Sequence, residues 1–156
     1  MESRMDIVAR PIHDIELITE AMRNPRVWPS ISDDSSPAPE LFQPCLDGHV
    51  VYLGMFVHDR FHGLFMLHPH NHICWEVHTC LLPIAWGRAT RFASECVDWV
   101  FSHTPCLRLI TNIPKGNPLA RRLALSVGMR EFGINPSSFL KNGIAIDQFM
   151  LGISKE

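Results

Sequence analysis

The chain predicts a single α/β (α+β) domain over residues 1–156, and three observations carry that prediction. The length suits one domain. The composition, 46% hydrophobic and 19% charged, is that of a globular chain with a sizeable core. Residues 73–132 read strand, glycine turn, amphipathic helix, strand, asparagine-capped helix, glycine stop. A chain this long buries most of the surface its unfolded form exposes, so no metal or disulfide staple is needed.

The elements follow in order. Residues 5–12 alternate as a first strand. Asp14 then opens an amphipathic helix with Ile15, Leu17, Ile18, Ala21 and Met22 on its apolar face, and Asn24-Pro25 ends it. Residues 28–44, rich in Pro, Ser and Asp, read as a long loop with room for a short helix near Glu40; loops of this length are often functional. Residues 50–58 and 63–68 are strands joined by a hairpin at His58-Asp59-Arg60-Phe61-His62, and His68-Pro69-His70-Asn71-His72 is the next turn. Residues 73–81 complete the meander. Ile73, Trp75, Val77, Thr79 and Leu81 share one face, and Cys74, Glu76, His78 and Cys80 the other.

A helix over 89–103 aligns Phe92, Cys96, Trp99 and Val100, with Arg88, Arg91, Glu95 and Asp98 elsewhere on its surface. Residues 107–113 form a further strand. Asn117 is a good N-cap, Pro118 suits the first helical position, Leu119, Leu123 and Val127 recur every four residues, and Gly128 fits the helix stop. Strands at 129–134 and 145–153 are separated by turns at Pro136-Ser137-Ser138 and Lys141-Asn142-Gly143.

Charge and cysteine usage narrow the function. A net charge of −2 argues against a general nucleic-acid or membrane-surface role. No uninterrupted apolar run is long enough to span a bilayer, and MESRMDIVAR has no apolar core of a signal peptide. Five cysteines with no Cys-x-x-Cys fit reduced thiols, hence a cytoplasmic setting. His68, His70, His72, Glu76 and His78 could share a face on a continuous strand, which would suit a metal-dependent hydrolase. Pro69 and Asn71 break that strand with a turn, and no metal is assigned.

Two helices each begin just beyond a strand, where unpaired N–H groups and the helix dipole favour anions. Trp86-Gly87-Arg88-Ala89-Thr90 is the first such start: Gly87 lets the backbone approach a phosphate, and Arg88 could add a charge-assisted contact. An ordinary strand-to-helix turn with a solvated arginine is the alternative. Asn117 opens the second helix, and capping alone would account for it.

Trp86-Gly87-Arg88-Ala89-Thr90, followed by a helix ending Trp99-Val100-Phe101, is similar to a cofactor motif that often reads W-G-K-G-Y-A-T. Asn117-Pro118-Leu119-Ala120-Arg121-Arg122-Leu123 with Val127-Gly128-Met129 is similar to a second signature, an asparagine-opened helix ending in an aliphatic residue, glycine and a bulky residue. In these residues the chain resembles the GNAT superfamily of N-acetyltransferases, above all the branch acting on protein N-termini and small amines. The resemblance implies a mixed, largely antiparallel central sheet flanked by helices, with strands that splay apart to admit acetyl-CoA. It implies that the backbone of Leu81 and Leu82 lies beside the pantetheine arm. Trp86, Gly87, Arg88, Ala89 and Thr90 would surround the pyrophosphate, and Asn117 would touch the cofactor. Glu76 matches the position of a catalytic glutamate, with His78 able to share the role of base; burial would raise the glutamate's pKa toward a useful range. The acceptor would be an amine of a small molecule or protein, under the 28–44 loop, and the assembly a homodimer. No tyrosine stands where the family's thiol acid does: Tyr52 is in another part of the fold, leaving Ser126, Ser137 or a water.

The chain departs from the motif at one place. Either Ala89 replaces the second glycine, or the loop is two residues shorter; aligning the helix by its Trp99-Val100-Phe101 end favours the shorter loop. Fewer N–H groups then face the pyrophosphate. The alternative is a catalytically degenerate GNAT-fold binding or assembly protein. Trp86-Gly87-Arg88, Glu95 to Phe101 and Asp147-Gln148 also look like small acetyltransferase-like proteins of tailed bacteriophages, which would imply a head or virion-associated protein with phage structural proteins as partners.

Overall fold

The computed structural model describes residues 6–156. One seven-stranded sheet carries the helices on its two faces. The strands are β1 (Ile7–Pro11), β2 (Val51–Val57), β3 (Arg60–Pro69), β4 (Cys74–Leu81), β5 (Arg108–Pro114), β6 (Arg130–Lys141) and β7 (Ile144–Ser154), in spatial order β1-β2-β3-β4-β5-β7-β6. The helices are α1 (Ile15–Met22), α2 (Trp28–Ile31), α3 (Ala89–His103) and α4 (Pro118–Ser126). All neighbouring strands are antiparallel except β4 and β5. Met5, expected in the first strand, lies outside the described residues.

The period-two pattern sorts the core into two layers. Leu53, Met55, Phe65, Leu67, Trp75, Val77 and Leu81 meet Phe92, Ala93, Cys96 and Val100 of α3 and Ala124 of α4 on one face. Tyr52, Phe56, Leu64 and Cys80 meet Ile18, Ala21 and Met22 of α1 on the other. Trp99 is only partly buried and stacks on His103, with ring centroids 5.0 Å apart. Ile15, expected on the apolar face of α1, is instead exposed at its first position.

Caps set the helix limits. Asp14 Oδ1 accepts from the N–H groups of Glu16 and Leu17, and Asn117 Oδ1 from that of Ala120. Gly128, at φ +93°, stops α4.

Three local readings are corrected. The β2–β3 connection is a two-residue turn, with His58 and Asp59 at φ 48° and 62°, so Arg60–His62 belongs to the strand. Residues 28–31 form the short helix α2, while the helical turn expected near Glu40 is a 3₁₀ turn over Pro39–Leu41. Pro136-Ser137-Ser138 does not end a strand. It is a bulge within β6, where Ser137 sits at φ 50° and gives its N–H to Asp147 Oδ1 at 2.8 Å. The β6–β7 turn falls at Asn142-Gly143 as expected.

Candidate active site

β4 and β5 run parallel but pair only at Cys74↔Arg108, Trp75↔Leu109 and Glu76↔Ile110. Beyond Glu76, β4 keeps its partner β3, and beyond Ile110, β5 keeps β7, so the facing edges of the two strands lack a strand partner. The gap between them is a cleft of about 610 Å³. Val77, Leu81, Ala93 and Leu123 give it apolar walls, while His78, Thr79, Thr90, Thr111, Asn112, Asn117 and Ser126 supply polar groups.

The chain enters α3 through a 3₁₀ turn over Pro83–Arg88. Trp86 Nε1 donates to Leu81 O at 2.9 Å, fixing the turn against the end of β4. The guanidinium of Arg26 lies over the Trp86 ring at 4.7 Å from its centroid. The N–H of Ala89 is given to Trp86 O, and among the described residues no side chain caps the first turn of α3, which starts at the mouth of the cleft. A Cβ placed on Gly87 would meet nothing within 4 Å, so the turn faces open space. Thr90 Oγ1 lies 3.0 Å from Ser126 Oγ, tying the start of α3 to the end of α4.

Glu76 and His78 project from the face of β4 that carries Cys80, toward α1 and α2. Glu76 is largely buried, its side chain 13% exposed, and is held from both sides: His70 Nε2 lies 2.8 Å from Oε1, and His78 Nε2 2.8 Å from Oε2. Burial alone would raise its pKa, but the hydrogen bonds and charges of His78 and His70 outweigh burial and push it down to about 2. The expectation of a raised glutamate pKa is therefore overturned. Glu76 does not line the cleft; His78 does, with its side chain 32% exposed.

Of the residues expected around a cofactor, Leu81, Trp86, Ala89, Thr90 and Asn117 line the cleft, while Leu82, Gly87 and Arg88 do not. The N–H of Leu82 is already given to His62 O. Ser126 lies at the cleft and Ser137 does not. Tyr52 is buried on β2, where its hydroxyl accepts from the N–H of Cys45. The sequence reading missed Arg26, Ser30, Phe139 and Gln148 in the wall. Arg26 and Ser30 adjoin or fall in the loop flagged as functional; Gln148 stood out only as part of the Asp147-Gln148 likeness, and nothing local marks Phe139, both of which a distant hairpin brings in.

α2 and the segment after it are tied to the β6–β7 turn. Lys141 Nζ donates to Pro29 O and Ser32 O at 3.0 and 2.8 Å, and the carboxylate of Asp34 accepts from the N–H groups of Asn142 and Gly143, both at 2.8 Å.

A mixed sheet opened between two parallel central strands, with a helix start at the mouth of the gap, is the GNAT fold. The likeness to solved structures bears this out. The chain superposes on a spermidine N-acetyltransferase from Vibrio cholerae, solved in complex with CoA and spermine, with a TM-score of 0.70 and 18% identity over 95% of each chain. A structure described as a probable acetyltransferase matches with a TM-score of 0.74 and 16% identity over 98% of this chain and 94% of that one. No protein-family model and no curated protein matches the chain.

Proposed function

We propose that the chain transfers an acetyl group from acetyl-CoA to an amine of a small molecule or protein. The observation that carries this reading is the unpartnered pair of strand edges in the cleft between β4 and β5, with His78 on its wall. The residues present fit such a cofactor: backbone edges and apolar walls suit an extended, amide-bearing arm, and the start of α3 suits phosphates. Leu81, Trp86, Ala89, Thr90 and Asn117 would hold it. When bound, it supplies the acetyl group as an activated thioester.

The chain's own work is to orient the amine and take its proton. An ionised carboxylate only accepts hydrogen bonds, so Glu76 fixes the proton of His78 on Nε2 and leaves Nδ1 as the ring's basic nitrogen. His78 is then the base and Glu76 the residue that positions it, a division of labour that a glutamate with so low a pKa favours. The CoA-bound neighbour supports the reading at the level of the fold.

Calorimetric titration with acetyl-CoA and with CoA tests it. Saturable micromolar binding is expected for the native chain. Thr90→Glu, which puts a negative charge at an exposed cleft-lining position in the first turn of α3, is expected to weaken binding at least tenfold. No binding at millimolar cofactor would overturn the reading in favour of a non-catalytic binding protein.

A further inference from the structure

The α2 side of the cleft is walled by Arg26, Ser30, Ile31, His78, Phe139 and Gln148. Among the described residues, no aspartate or glutamate lines the cleft anywhere. The carboxylates nearest to these walls along the chain are spent on other partners. Glu76 is shared between His70 and His78. Asp34 is taken by the N–H groups of Asn142 and Gly143, and Asp33 by Ser35 and Ser36. Asp147 is taken by Lys115 and the N–H of Ser137. The permanent charge on this side is positive: Arg26. Arg26 is exposed, and its guanidinium lies 4.7 Å from the centroid of the Trp86 ring, a contact through the positive charge that leaves N–H groups for a carboxylate.

A polycation brought here would find no carboxylate for its ammonium groups among the described residues of the wall and would lie beside an arginine, which charge repulsion opposes. We infer that the acceptor is a primary amine carrying its own carboxylate, as an amino acid or a short peptide does. Arg26 pairs with that carboxylate while the amine faces His78, and polyamines are poor acceptors. The inference rests on the acetyl-transfer reading above, and it separates this chain from the neighbour solved with spermine.

The test measures CoA binding by calorimetry, acceptor binding to the CoA-loaded protein by ligand-observed NMR, and thiol release with amino acids, dipeptides, spermidine and spermine. Carboxylate-bearing amines are expected to exceed spermine at least tenfold in kcat/KM and to bind the loaded protein. Arg26→Ala is expected to raise their KM about tenfold with kcat and the CoA affinity within twofold, and Arg26→Lys to recover part of the loss. Three results would overturn the inference: a preference for spermine, CoA bound but no carboxylate-bearing amine bound or turned over, or Arg26→Ala weakening CoA and not the acceptor. Failure of the native chain to bind CoA is a separate result that removes the acetyl-transfer reading, and this inference with it.

Discussion

Glu76 Oε2 and His78 Nε2 lie 2.8 Å apart on one face of β4, and His70 closes on the other carboxylate oxygen at the same distance. Residues two apart on a strand share a face, so the backbone itself brings the carboxylate to the imidazole. His70 arrives from the turn after β3, where Asn71 Oδ1 accepts from the N–H groups of Ile73 and Cys74. The carboxylate thus holds one ring that lines the cleft and one that does not.

Glu76→Gln is expected to change the acid stability of the protein. The folded-state pKa of Glu76 is depressed, so its stabilising contribution is fully present above its ordinary value near 4.5 and is lost as the pH falls toward about 2. Two charge-assisted hydrogen bonds to half-exposed histidines make this about 1–2 kcal/mol. Denaturant unfolding from pH 7 to 2 should show native protein losing that amount below pH 4.5, whereas Glu76→Gln starts less stable at pH 7 and lacks that part of the decline. Identical pH profiles for the two proteins would refute the pairing.

The tie between Asp34 and the Asn142-Gly143 turn predicts a local effect. Asp34→Ala leaves two turn N–H groups to water, which replaces them in part, so the global loss is about 0.5–1 kcal/mol. Hydrogen exchange should speed up about tenfold at Asn142 and Gly143 and stay unchanged in α3. Lys141→Ala, which frees the carbonyls of Pro29 and Ser32, should loosen the same region. Unchanged exchange at the turn in both variants would count against a structural role for the tie.

Gly63→Ala is expected to cost about 3 kcal/mol or more, among the larger single-residue effects in the chain. Gly63 has φ +111°, and a Cβ there would sit 2.6 Å from Leu81 Cα and Leu82 N. Both are backbone atoms at the end of β4, so the strand edge beside the cleft must move. Urea unfolding measures the loss; a cost below 1 kcal/mol would show that β4 yields easily.

The five thiols are expected to divide two to three. Cys80, Cys96 and Cys106 are buried, and burial pushes the Cys80 thiol up to about 12 and that of Cys96 higher still. Cys45 and Cys74 are partly exposed. Titration of the native protein with a thiol reagent at neutral pH should count about two reactive groups, rising to five in denaturant. Rapid reaction of all five in the native state would contradict the core packing described.

Most of the fold was legible because its punctuation is local. Asn117, Pro118 and Gly128 mark α4 through capping chemistry that needs no tertiary partner, and the structure places α4 between them. α3 runs over Ala89–His103 as its apolar period predicts. The misread segments are those where a contact from far along the chain outweighs local signals. Pro136-Ser137-Ser138 reads as a turn, yet Asp147 across the hairpin accepts the N–H of Ser137 and keeps the segment within β6 as a bulge. Residues 28–31 have weak helical propensity, and Lys141, far along the chain, caps their carbonyl end.

The sequence by itself determined the order of elements, the face-sharing of Glu76 with His78, and the helix start after Trp86, because period and capping are properties of neighbours along the chain. Only the tertiary structure decided that β4 and β5 part after Glu76↔Ile110, that two histidines hold the glutamate ionised against the pull of burial, and that Arg26 sits over Trp86 at a cleft without a carboxylate. Strand divergence, the balance between burial and hydrogen bonding, and the charge lining a cavity all depend on which distant residues are brought together, and no local pattern in the chain encodes that.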